Sequence, residues 1–319
     1  MDIPIHIGSE ITIVTTIVIP SLGGTHLTHC LGAVAVLDPA PTRTVVVLSG
    51  TQSRPVVPRN VSLITTGKRL GFATAVNTGI AKASAQGEDI AILNDDAVPS
   101  PGWLASLQNA LDNDSSVASV QGTVTDSVGA TIDGRGITLD PFGLPIQVDR
   151  GGSPAPEPPT PRRIVAVSGT ASLLRAEALV DVALADGSIF DPAFGSYHED
   201  LDLGLRLQRL GWKASWVPGA WVSHIGSATG RGLGWRHPWW VLANRWRALA
   251  GNLSPNALIR SLPTLLRGEL RAVHTLTRAN PRALPTAAML LTCLPWLVTR
   301  SLSRPSPGPR LNRLPEAYL

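Results

Sequence analysis

Short β-branched apolar runs alternate with segments of helical character along the first third of the chain. One run, Ile11 to Pro20, leads into a glycine-containing turn, and similar runs follow at Thr44 to Leu48, Ser62 to Thr65 and Asp89 to Leu93. Apolar runs of this length, bounded by turn residues, predict buried strands. Ala73 to Ala85 predicts a helix between two of them. Strands separated by helices indicate an α/β fold with a mostly parallel sheet flanked by helices on both faces.

The middle of the chain combines a proline-rich stretch with further strand and helix patterns. Gly151 to Pro161 reads GGSPAPEPPTP, and we expect a loop there because proline lacks a backbone donor and has a fixed φ. The apolar run Ile164 to Val167 predicts a strand, and the pattern near Ala176 to Ala185 predicts a helix.

A well-marked helix is predicted from Glu199 to Leu210, where Gly211 ends it. Arg206 and Arg209 lie off the apolar stripe of this helix. Asp202 is expected only to favour the dipole of the first helical turn. The apolar stripe follows i, i+4, i+7 spacing and consists of Leu203, Leu207 and Leu210.

Beyond Gly230 the composition changes to tryptophan, arginine, leucine and proline. Between Thr264 and Arg278 an apolar stripe runs beside a basic one, a pattern that suits a helix lying on a lipid headgroup layer. Ala283 to Thr299 is apolar but shorter than the roughly 20 residues that a spanning helix needs, so both crossing and interfacial or core packing are open. The two stripes consist of Leu266, Leu270 and Val273, and of Arg267, Arg271, His274 and Arg278.

Composition excludes disorder of the whole chain, because 44% of its 319 residues are hydrophobic and only 16% are charged. The positive charge is concentrated after Arg231, where the only acids are Glu269 and Glu316. Such a cationic region predicts an acidic partner. Its arginines are interleaved with leucine and tryptophan, which favours an anionic membrane surface over nucleic acid. Four tryptophans suit either a headgroup belt or core packing, namely Trp235, Trp239, Trp240 and Trp246.

The cysteines and the N-terminal residues indicate the cellular compartment of the protein. Cys30 and Cys293 are the only cysteines, and their separation fits neither a disulfide framework nor a zinc site. Asp2 and Glu10 precede the first apolar run, and no basic segment stands before that run, which argues against a signal peptide. We therefore expect a cytoplasmic protein that associates peripherally with the inner face of the cell membrane.

Acidic residues follow the predicted strand at Asp89 to Leu93 directly. The segment AILNDDAVPSPGW places Asn94, Asp95 and Asp96 at the carboxyl end of that strand, where open α/β sheets bind ligands. Oxygen-bearing side chains there can hold a hard divalent cation that bridges a diphosphate. The alternative is a solvated turn in which an aspartate caps the next helix.

Two further segments carry candidate chemistry. Glu199 and Asp200 open a helix after an aromatic, glycine-containing loop, so that Asp200 could take a proton from a substrate hydroxyl, although both acids could simply favour the helix dipole. His224 follows a short apolar strand and could complete a metal site, or it could be structural. Gly71 and Asn77 lie at the start of a helix whose N-terminus could bind phosphate, or could form a plain strand-to-helix turn.

An ordered set of motifs resembles family 2 glycosyltransferases, from about Ile11 to Thr229. The motifs are TIVIPSLGG, LGFATAVNTGI, LNDDAVPSPGWL, VSGTASLLR, YHEDLDLGLRLQRLGW and VPGAWVSHIGSAT. A later segment, WVLANRWRALAGN, is similar to the one that follows the catalytic domain in bacterial members that act on lipid-linked acceptors. The subgroup that the chain resembles is that of rhamnosyltransferases of cell-wall and polysaccharide assembly.

The resemblance implies a GT-A fold, with a catalytic domain over residues 1–230 and a membrane-associated helical extension over residues 231–319. It implies an inverting transfer from a nucleotide-diphosphate donor, dTDP-rhamnose or a UDP-sugar, to a lipid-linked or polysaccharide acceptor. A Mg²⁺ or Mn²⁺ ion would hold the diphosphate.

The resemblance also implies roles for individual residues. Asp96 would be the direct metal ligand with Asp95 and His224, and Asp200 would be the general base with Glu199 beside it. The other residues implied at the donor and acceptor site are Pro20, Gly71, Asn77, Asn94, Ser168, Gly169 and Thr170.

One departure from the family and two alternatives remain. The family has an acidic residue after the second strand that reads the nucleobase, whereas this chain has VVVLSGTQSRP, so the nucleotide must be recognised by other groups.

A sugar-phosphate nucleotidyltransferase would need a basic glycine-rich loop after the first strand, and PSLGGTHLTHC contains no arginine or lysine. A non-catalytic membrane-surface scaffold with the same fold is the third reading. No G-x-G-x-x-G segment follows the first strand, which excludes a dinucleotide-binding site there.

Overall fold

A computed structural model describes residues 14–50, 55–83, 87–226 and 234–315. Its central sheet has ten strands in this part of the chain, eight of them in the order β10-β12-β6-β11-β4-β1-β2-β3, with β5 beside β12 and β7 beside β6. A separate hairpin pairs β8 with β9. The strands are β1 Thr15–Ser21, β2 Arg43–Leu48, β3 Val61–Thr65, β4 Asp89–Leu93, β5 Ala97–Pro99, β6 Val117–Asp126, β7 Ile132–Gly134, β8 Ile137–Leu139, β9 Pro145–Gln147, β10 Arg162–Ile164, β11 Ala171–Leu174 and β12 Lys213–His224.

The predicted α/β fold with a parallel central sheet is confirmed. Strands β3, β2, β1 and β4 pair in parallel, and β6 pairs in parallel with β12. Antiparallel β11 joins the two parallel parts by pairing with β4 and β6. Three predicted strands lie within one residue of β2, β3 and β4, because buried parallel strands are continuous apolar runs. The carboxyl ends of β1 and β4 therefore lie side by side.

Helices cover both faces of the sheet and continue into a C-terminal helical region. A short 3₁₀ helix at Pro192–Phe194 precedes α5. The first three residues of the predicted first strand, Ile11 to Ile13, lie outside the described residues. The helices are α1 Thr25–Val34, α2 Phe72–Ala83, α3 Trp103–Asn113, α4 Ala176–Val182, α5 Glu199–Arg209, α6 Arg236–Asn252, α7 Pro255–Ala279 and α8 Ala283–Leu302.

The strand predicted at Ile164 to Val167 is wrong for most of its length. Strand β10 ends at Ile164, and the amides of Val165 and Ala166 instead donate to the carbonyl oxygen of Ile137. This segment is apolar because it is buried beneath α5, where a Cβ atom on Gly204 would collide with Ala166. The apolar run therefore reflects burial, and its strand pairing after Ile164 is limited to one isolated bridge between Ala166 and Ile137.

Arginines that lie off the leucine stripe of α5 are buried. Arg206 is fully buried and donates to Asp202 at 2.9 Å and to the carbonyl oxygen of Val182 at 2.7 Å. Arg209 donates to the carbonyl oxygens of Gly308 and Pro309, in the segment after α8. The C-terminal region therefore covers the side of α5 that the leucine pattern leaves open.

The expectation that Asp202 only favours the helix dipole is also wrong. Its carboxylate is buried and accepts hydrogen bonds from Arg206, from Arg304 at 2.7 Å and from Asn252 at 2.8 Å. These partners hold the pKa of the Asp202 carboxyl below its usual range although burial raises it. Removal of one partner from such a buried network is costly, because it leaves an uncompensated charge.

Helix α8 packs against α6 on one side only. Leu290 and Leu297 of α8 belong to the same buried cluster as Leu242 and Trp246 of α6. In the part of the chain that the structure describes, α8 is the one helix whose length and composition would allow it to cross a membrane, and 22% of its apolar window is buried. Two tryptophans show the same contrast between buried and exposed sides. Trp246 on α6 is buried, whereas Trp235, directly before α6, is 54% exposed.

Candidate active site

Strand pairing brings the acidic segment after β4 beside the end of β12. Ala97 pairs with His224, and the amide of Ile225 donates to the carbonyl oxygen of Asp96. As a result Nε2 of His224 lies 3.1 Å from Oδ1 of Asp96. These two predicted metal-site residues, far apart in sequence, therefore face each other at the carboxyl edge of the sheet.

The second ring nitrogen of His224 is held by a carboxylate that sequence reasoning missed. Nδ1 of His224 lies 3.0 Å from Oδ2 of Asp133 on β7, and Asp133 is paired with Arg150 at 3.1 Å. Burial lowers the pKa of His224, but the hydrogen bonds to Asp133 and Asp96 outweigh burial and raise that pKa to about 9. Asp133 thereby fixes the orientation of the ring, with Nε2 directed at Asp96.

Asp95 contacts the end of β1. Its Oδ2 accepts a hydrogen bond of 2.6 Å from Oγ of Ser21, and Ser21 Oγ also accepts from the amide of Gly23. Burial raises the pKa of the Asp95 carboxyl, whereas the Ser21 hydrogen bond lowers it by less. Asp96 differs, because hydrogen bonding and charge from His224 hold its pKa below the usual range despite burial. Pro20, which the resemblance implied, precedes Ser21 in β1.

Asp200 lies at the start of α5 with both carboxylate oxygens bonded to backbone amides. Oδ2 accepts from the amide of Gly169 at 3.2 Å, and Oδ1 accepts from the amide of Leu201 at 2.8 Å. Burial raises the pKa of Asp200, and these hydrogen bonds oppose the shift. A carboxylate with a raised pKa that retains hydrogen-bond acceptor capacity is suited to take a proton from a hydroxyl group.

Glu199 is the more deeply buried of the two acids. Only 6% of its surface is exposed, and its Oε2 has no hydrogen-bond partner among the described residues. Burial, followed by the charge of Asp200, raises the pKa of Glu199 well above its usual value. Burial and the charge of Asp200 therefore both favour the neutral form of the Glu199 carboxyl.

The segment Ser168 to Thr170 joins the acidic segment after β4 to the start of α5. The amide of Asn94 donates to the carbonyl oxygen of Thr170. The amide of Gly169, which precedes Thr170, donates to the carboxylate of Asp200. Ser168 and Thr170 are linked through their hydroxyl groups at 3.1 Å. A Cβ atom on Gly169 would lie 2.7 Å from the ring of Phe72, so this close approach requires glycine.

Contacts of Gly71 and Asn77 favour a structural role over contact with phosphate. The amides at the start of α2 are already bonded, because Ala73 donates to the carbonyl oxygen of Gly195 and Phe72 donates to Ser196. A Cβ atom on Gly71 would lie 2.6 Å from that carbonyl oxygen. Asn77 uses its amide group on both backbone atoms of Phe190. The N-terminus of α2 therefore anchors the loop before α5, as the strand-to-helix alternative requires.

Asn244 of α6, which lies in the segment WVLANRWRALAGN, holds the loop that precedes Asp200. Its Nδ2 atom lies 2.8 Å from the carbonyl oxygen of Phe194 and 2.9 Å from those of Ser196 and Tyr197. Tyr197 and His198 have φ values of 71° and 66°, in a region that side chains other than glycine rarely occupy. Such a conformation persists only where the surroundings determine it, and Asn244 supplies that constraint.

The residues present suit a small divalent cation. No cluster of three or more His, Cys, Asp or Glu side chains that could hold a metal ion occurs among residues 14–50, 55–83, 87–226 and 234–315. Asp96 and His224 form a pair whose facing atoms are 3.1 Å apart, and Asp133 supports the histidine as outer carboxylates do in metal sites. Mg²⁺ sites commonly use one or two carboxylates plus substrate phosphates, and Asp96 supplies such a carboxylate. To bind the same cation, His224 would have to lose the proton that its Nε2 shares with Asp96, because a ligating imidazole is neutral.

Known proteins share this sequence pattern and fold. The sequence model for Glycosyl transferase family group 2 matches residues 90–310. The N-acetylglucosaminyl-diphospho-decaprenol L-rhamnosyltransferase of Mycobacterium tuberculosis is 27% identical over 249 residues, which cover 66% of this chain and 79% of the relative.

Two solved structures are similar in fold. GalNAc-T7 with UDP, GalNAc and Mn²⁺ has a TM-score of 0.58 and 17% identity, over 77% of this chain and 49% of that chain. The chain thus spans about half the length of GalNAc-T7. The mannosyltransferase PcManGT of Pyrobaculum calidifontis, in complex with GDP-Man and Mn²⁺, has a TM-score of 0.52 and 17% identity, over 90% of this chain and 83% of that chain. These similarities confirm the GT-A fold.

Proposed function

The chain belongs to glycosyl transferase family group 2 and is a family 2 glycosyltransferase, and from this premise we propose that it transfers its sugar with inversion. One observation carries the proposal: Asp200 is linked through Gly169 and Thr170 to the segment that bears Asp96, which faces His224. A general base and a diphosphate site thus share one sheet edge. This arrangement supports attack from the face opposite the leaving group.

In the proposed reaction the acceptor hydroxyl gives its proton to the Asp200 carboxylate. The hydroxyl oxygen forms a bond to the anomeric carbon of the sugar while the bond from that carbon to the diphosphate oxygen breaks. The backbone amides of Gly169 and Leu201 orient the carboxylate of Asp200. A positioned general base of this kind contributes about 10²- to 10⁴-fold to the rate.

Asp96 and His224 would hold a Mg²⁺ or Mn²⁺ ion, with Asp95 in support. Such a cation would supply positive charge against the charge that develops on the departing nucleoside diphosphate. The Mn²⁺ in the two similar structures supports this choice of ion. Ser21 would position the carboxylate of Asp95, and Asp133 would position the imidazole of His224.

We propose that the donor is dTDP-rhamnose or a UDP-sugar and that the acceptor is a lipid-linked glycan. The relative in Mycobacterium tuberculosis is named as an L-rhamnosyltransferase acting on N-acetylglucosaminyl-diphospho-decaprenol, which supports both parts. Thr51 to Arg54, where the family's base-reading acid is replaced, lie outside the described residues. A role in cell-wall or polysaccharide synthesis follows from this acceptor class.

We further propose that residues 231–319 are a helical extension that lies on the cytoplasmic face of an anionic membrane, beside a catalytic domain over residues 1–230. Exposed leucines on α7 and exposed apolar side chains on α8 support this placement, with exposed arginines next to them. Helices with this distribution bind at the lipid headgroup boundary. The exposed apolar residues are Ile259, Leu262, Leu266, Leu270, Leu284, Met289, Leu291 and Trp296.

Release of nucleoside diphosphate from a panel of nucleotide sugars tests the proposal. The panel contains dTDP-rhamnose, UDP-GlcNAc, UDP-galactose and UDP-glucose, each with an N-acetylglucosaminyl diphospholipid and either Mn²⁺, Mg²⁺ or a chelator. We expect cation-dependent release with one donor, and a product of inverted anomeric configuration by NMR. Retained configuration would contradict the mechanism, and absence of turnover with every donor would favour the scaffold.

A further inference from the structure

A small cavity lies between the two ends of the proposed active site. Its volume is about 20 Å³, which is room for about one water molecule or one hydroxyl group. Asp133, which holds His224, forms one wall, and the segment around Gly169, which holds Asp200, forms another. The cavity is lined by Gln121, Val124, Asp133, Gly134, Gln147, Ser168 and Thr170.

Gln121 on β6 presents an unsatisfied donor at this cavity. The residue is fully buried, and its Oε1 accepts a hydrogen bond of 2.6 Å from the amide of Ser168. Because a backbone amide can only donate, this contact fixes which end of the Gln121 amide is oxygen. The Nε2 group is therefore a buried donor, and it has no hydrogen-bond partner among the described residues.

Gln147 on β9 presents an unsatisfied acceptor at the same cavity. Its Oε1 is buried and has no partner among the residues that the structure describes. The side chain lies against Gly134, where a Cβ atom would collide with Oε1. Because Gly134 has no side chain, there is space for the side-chain amide of Gln147.

Buried polar atoms without partners are rare in folded proteins, and each needs an explanation. Here a free donor and a free acceptor line one cavity of hydroxyl size. A sugar hydroxyl group donates one hydrogen bond and accepts others, so a single hydroxyl would satisfy both glutamines. A carboxylate or a phosphate oxygen would satisfy Gln121 but not Gln147.

We propose that Gln121 and Gln147 bind one hydroxyl group of a sugar at the reaction centre and thereby determine which sugar the enzyme accepts. The inference rests on the proposed function, because the ligand is a glycosyl unit placed between Asp133 and Gly169. The hydroxyl belongs either to the transferred sugar or to the acceptor sugar, and the experiment below distinguishes them.

The experiment measures how strongly the enzyme prefers a sugar with the hydroxyl over one without it. The donor series is dTDP-L-rhamnose with its 2-, 3- and 4-deoxy analogues, and the acceptor series is an N-acetylglucosaminyl diphospholipid with its 3-, 4- and 6-deoxy analogues. For each position we take the ratio of kcat/KM for the parent to kcat/KM for the analogue. This ratio is unaffected by partial loss of folded protein, because both values come from the same preparation.

In the unmodified enzyme we expect one position, in one of the two series, to have a ratio above about 10, since a site built to bind a hydroxyl rejects the analogue that lacks it. Gln121→Met and Gln147→Met should each lower this ratio to near 1 and leave the ratios at other positions unchanged. Gln108→Met is the matched control, because Gln108 is a buried glutamine whose amide is bonded to Thr15 and Asp89 away from the cavity.

The possible results separate this inference from the proposed function. A large ratio in the donor series identifies the transferred sugar as the ligand, and one in the acceptor series identifies the acceptor sugar. Normal turnover with every ratio equal in the variants and the unmodified enzyme overturns the inference alone, since a bound water would then satisfy the glutamines. If the donor panel is not consumed at all, both the proposed function and this inference fail.

Discussion

The side-chain amide nitrogen of Asn244 lies 2.9 Å from the carbonyl oxygen of Tyr197. The first residue belongs to α6 in the C-terminal helical region, and the second belongs to the loop that leads into Asp200. Arg247 donates to Oδ1 of Asn244 and so holds the asparagine from the other side. The C-terminal helical region is therefore connected to the proposed general base through the backbone of one loop.

Replacement of Asn244 by alanine should lower kcat about 10- to 100-fold with a smaller change in KM for the donor. The loop with positive φ values at Tyr197 and His198 would lose its constraint, and a misplacement of about 1 Å can cost roughly 10²-fold in rate. Steady-state kinetics and donor binding by calorimetry measure the two effects. Asn280→Ala is the control, because the side chain of Asn280 bonds to the backbone of Gly234 and Arg282 and not to this loop. Equal loss of kcat and of donor binding would indicate general unfolding instead.

Replacement of Asp200 by asparagine should lower kcat by about 10²- to 10⁴-fold and leave donor binding intact. The amide oxygen of asparagine can accept only one of the two backbone hydrogen bonds, from Gly169 or from Leu201, and the proton acceptor is lost. Rapid-quench measurement of sugar transfer reports the chemical step directly. Asp186→Asn, in an exposed turn, is the matched control. Retained turnover in the Asp200 variant would assign the base role to another group.

The parallel strands β1 to β4 and the positions of the acids could be predicted from sequence. Buried parallel strands are continuous apolar runs, so β2, β3 and β4 stand out, and ligand-binding side chains follow the carboxyl ends of such strands. This local relationship is why Asn94, Asp95 and Asp96 could be assigned to the sheet edge. His224 was found for the same reason, since it ends β12.

Residues whose partners lie far along the chain could not be predicted. Asp133 contacts His224 only because β7 pairs with β6 beside β12, and no local pattern marks it. Ser21 contacts Asp95 because β1 and β4 are neighbours. The burial of Arg206 on α5 depends on its carbonyl partners in and after α4. For Asn244 a signal existed, because its segment resembles the family, but the signal did not specify its contact with the loop before Asp200.

Replacement of Glu199 by glutamine should make stability less dependent on pH. The raised pKa of Glu199 means that the folded protein keeps this proton at pH values where an unfolded chain, with a pKa of about 4.3, has lost it. The free energy of unfolding of the unmodified protein therefore falls as pH rises from about 4.3 to the raised pKa. Glutamine does not titrate, so the variant should gain stability relative to the unmodified protein across this window, and the gain should level off above it.

Thermal unfolding of both proteins at a series of pH values measures this difference. We also expect the glutamine variant to retain turnover, since burial already favours the neutral form of Glu199. Glu177→Gln is the control, because the side chain of Glu177 is 74% exposed. A stability difference that shrinks as pH rises would show that Glu199 is ionised in the folded protein.

Replacement of Asp133 by asparagine should weaken Mn²⁺ binding about 10- to 100-fold, the usual effect of losing a carboxylate behind a metal-binding histidine. The ring of His224 would lose the group that directs Nε2 at Asp96. Mn²⁺ titration followed by electron paramagnetic resonance measures the affinity without requiring turnover. Asp114→Asn, before the opposite end of the neighbouring strand β6, is the control, because Asp114 is 50% exposed and its side chain bonds to Ser116 and lies near Lys213. Equal affinity in both variants would contradict the role of Asp133 in orienting the ring of His224.

Replacement of Leu266 and Leu270 by glutamate should remove most binding to vesicles that contain phosphatidylglycerol. Both leucines are exposed on α7, at 42% and 72%, and burial of one leucine side chain contributes about 1.5 kcal/mol or more, so each substitution should weaken binding by roughly 10-fold. Co-sedimentation with vesicles measures the binding, and high salt should weaken it further by screening the neighbouring arginines. The control carries glutamate at Val128 and Val180, which are at least as exposed but lie outside the helical region. Equal binding by the two double variants, or strong binding to neutral phosphatidylcholine vesicles that salt does not alter, would contradict attachment through α7 to an anionic surface.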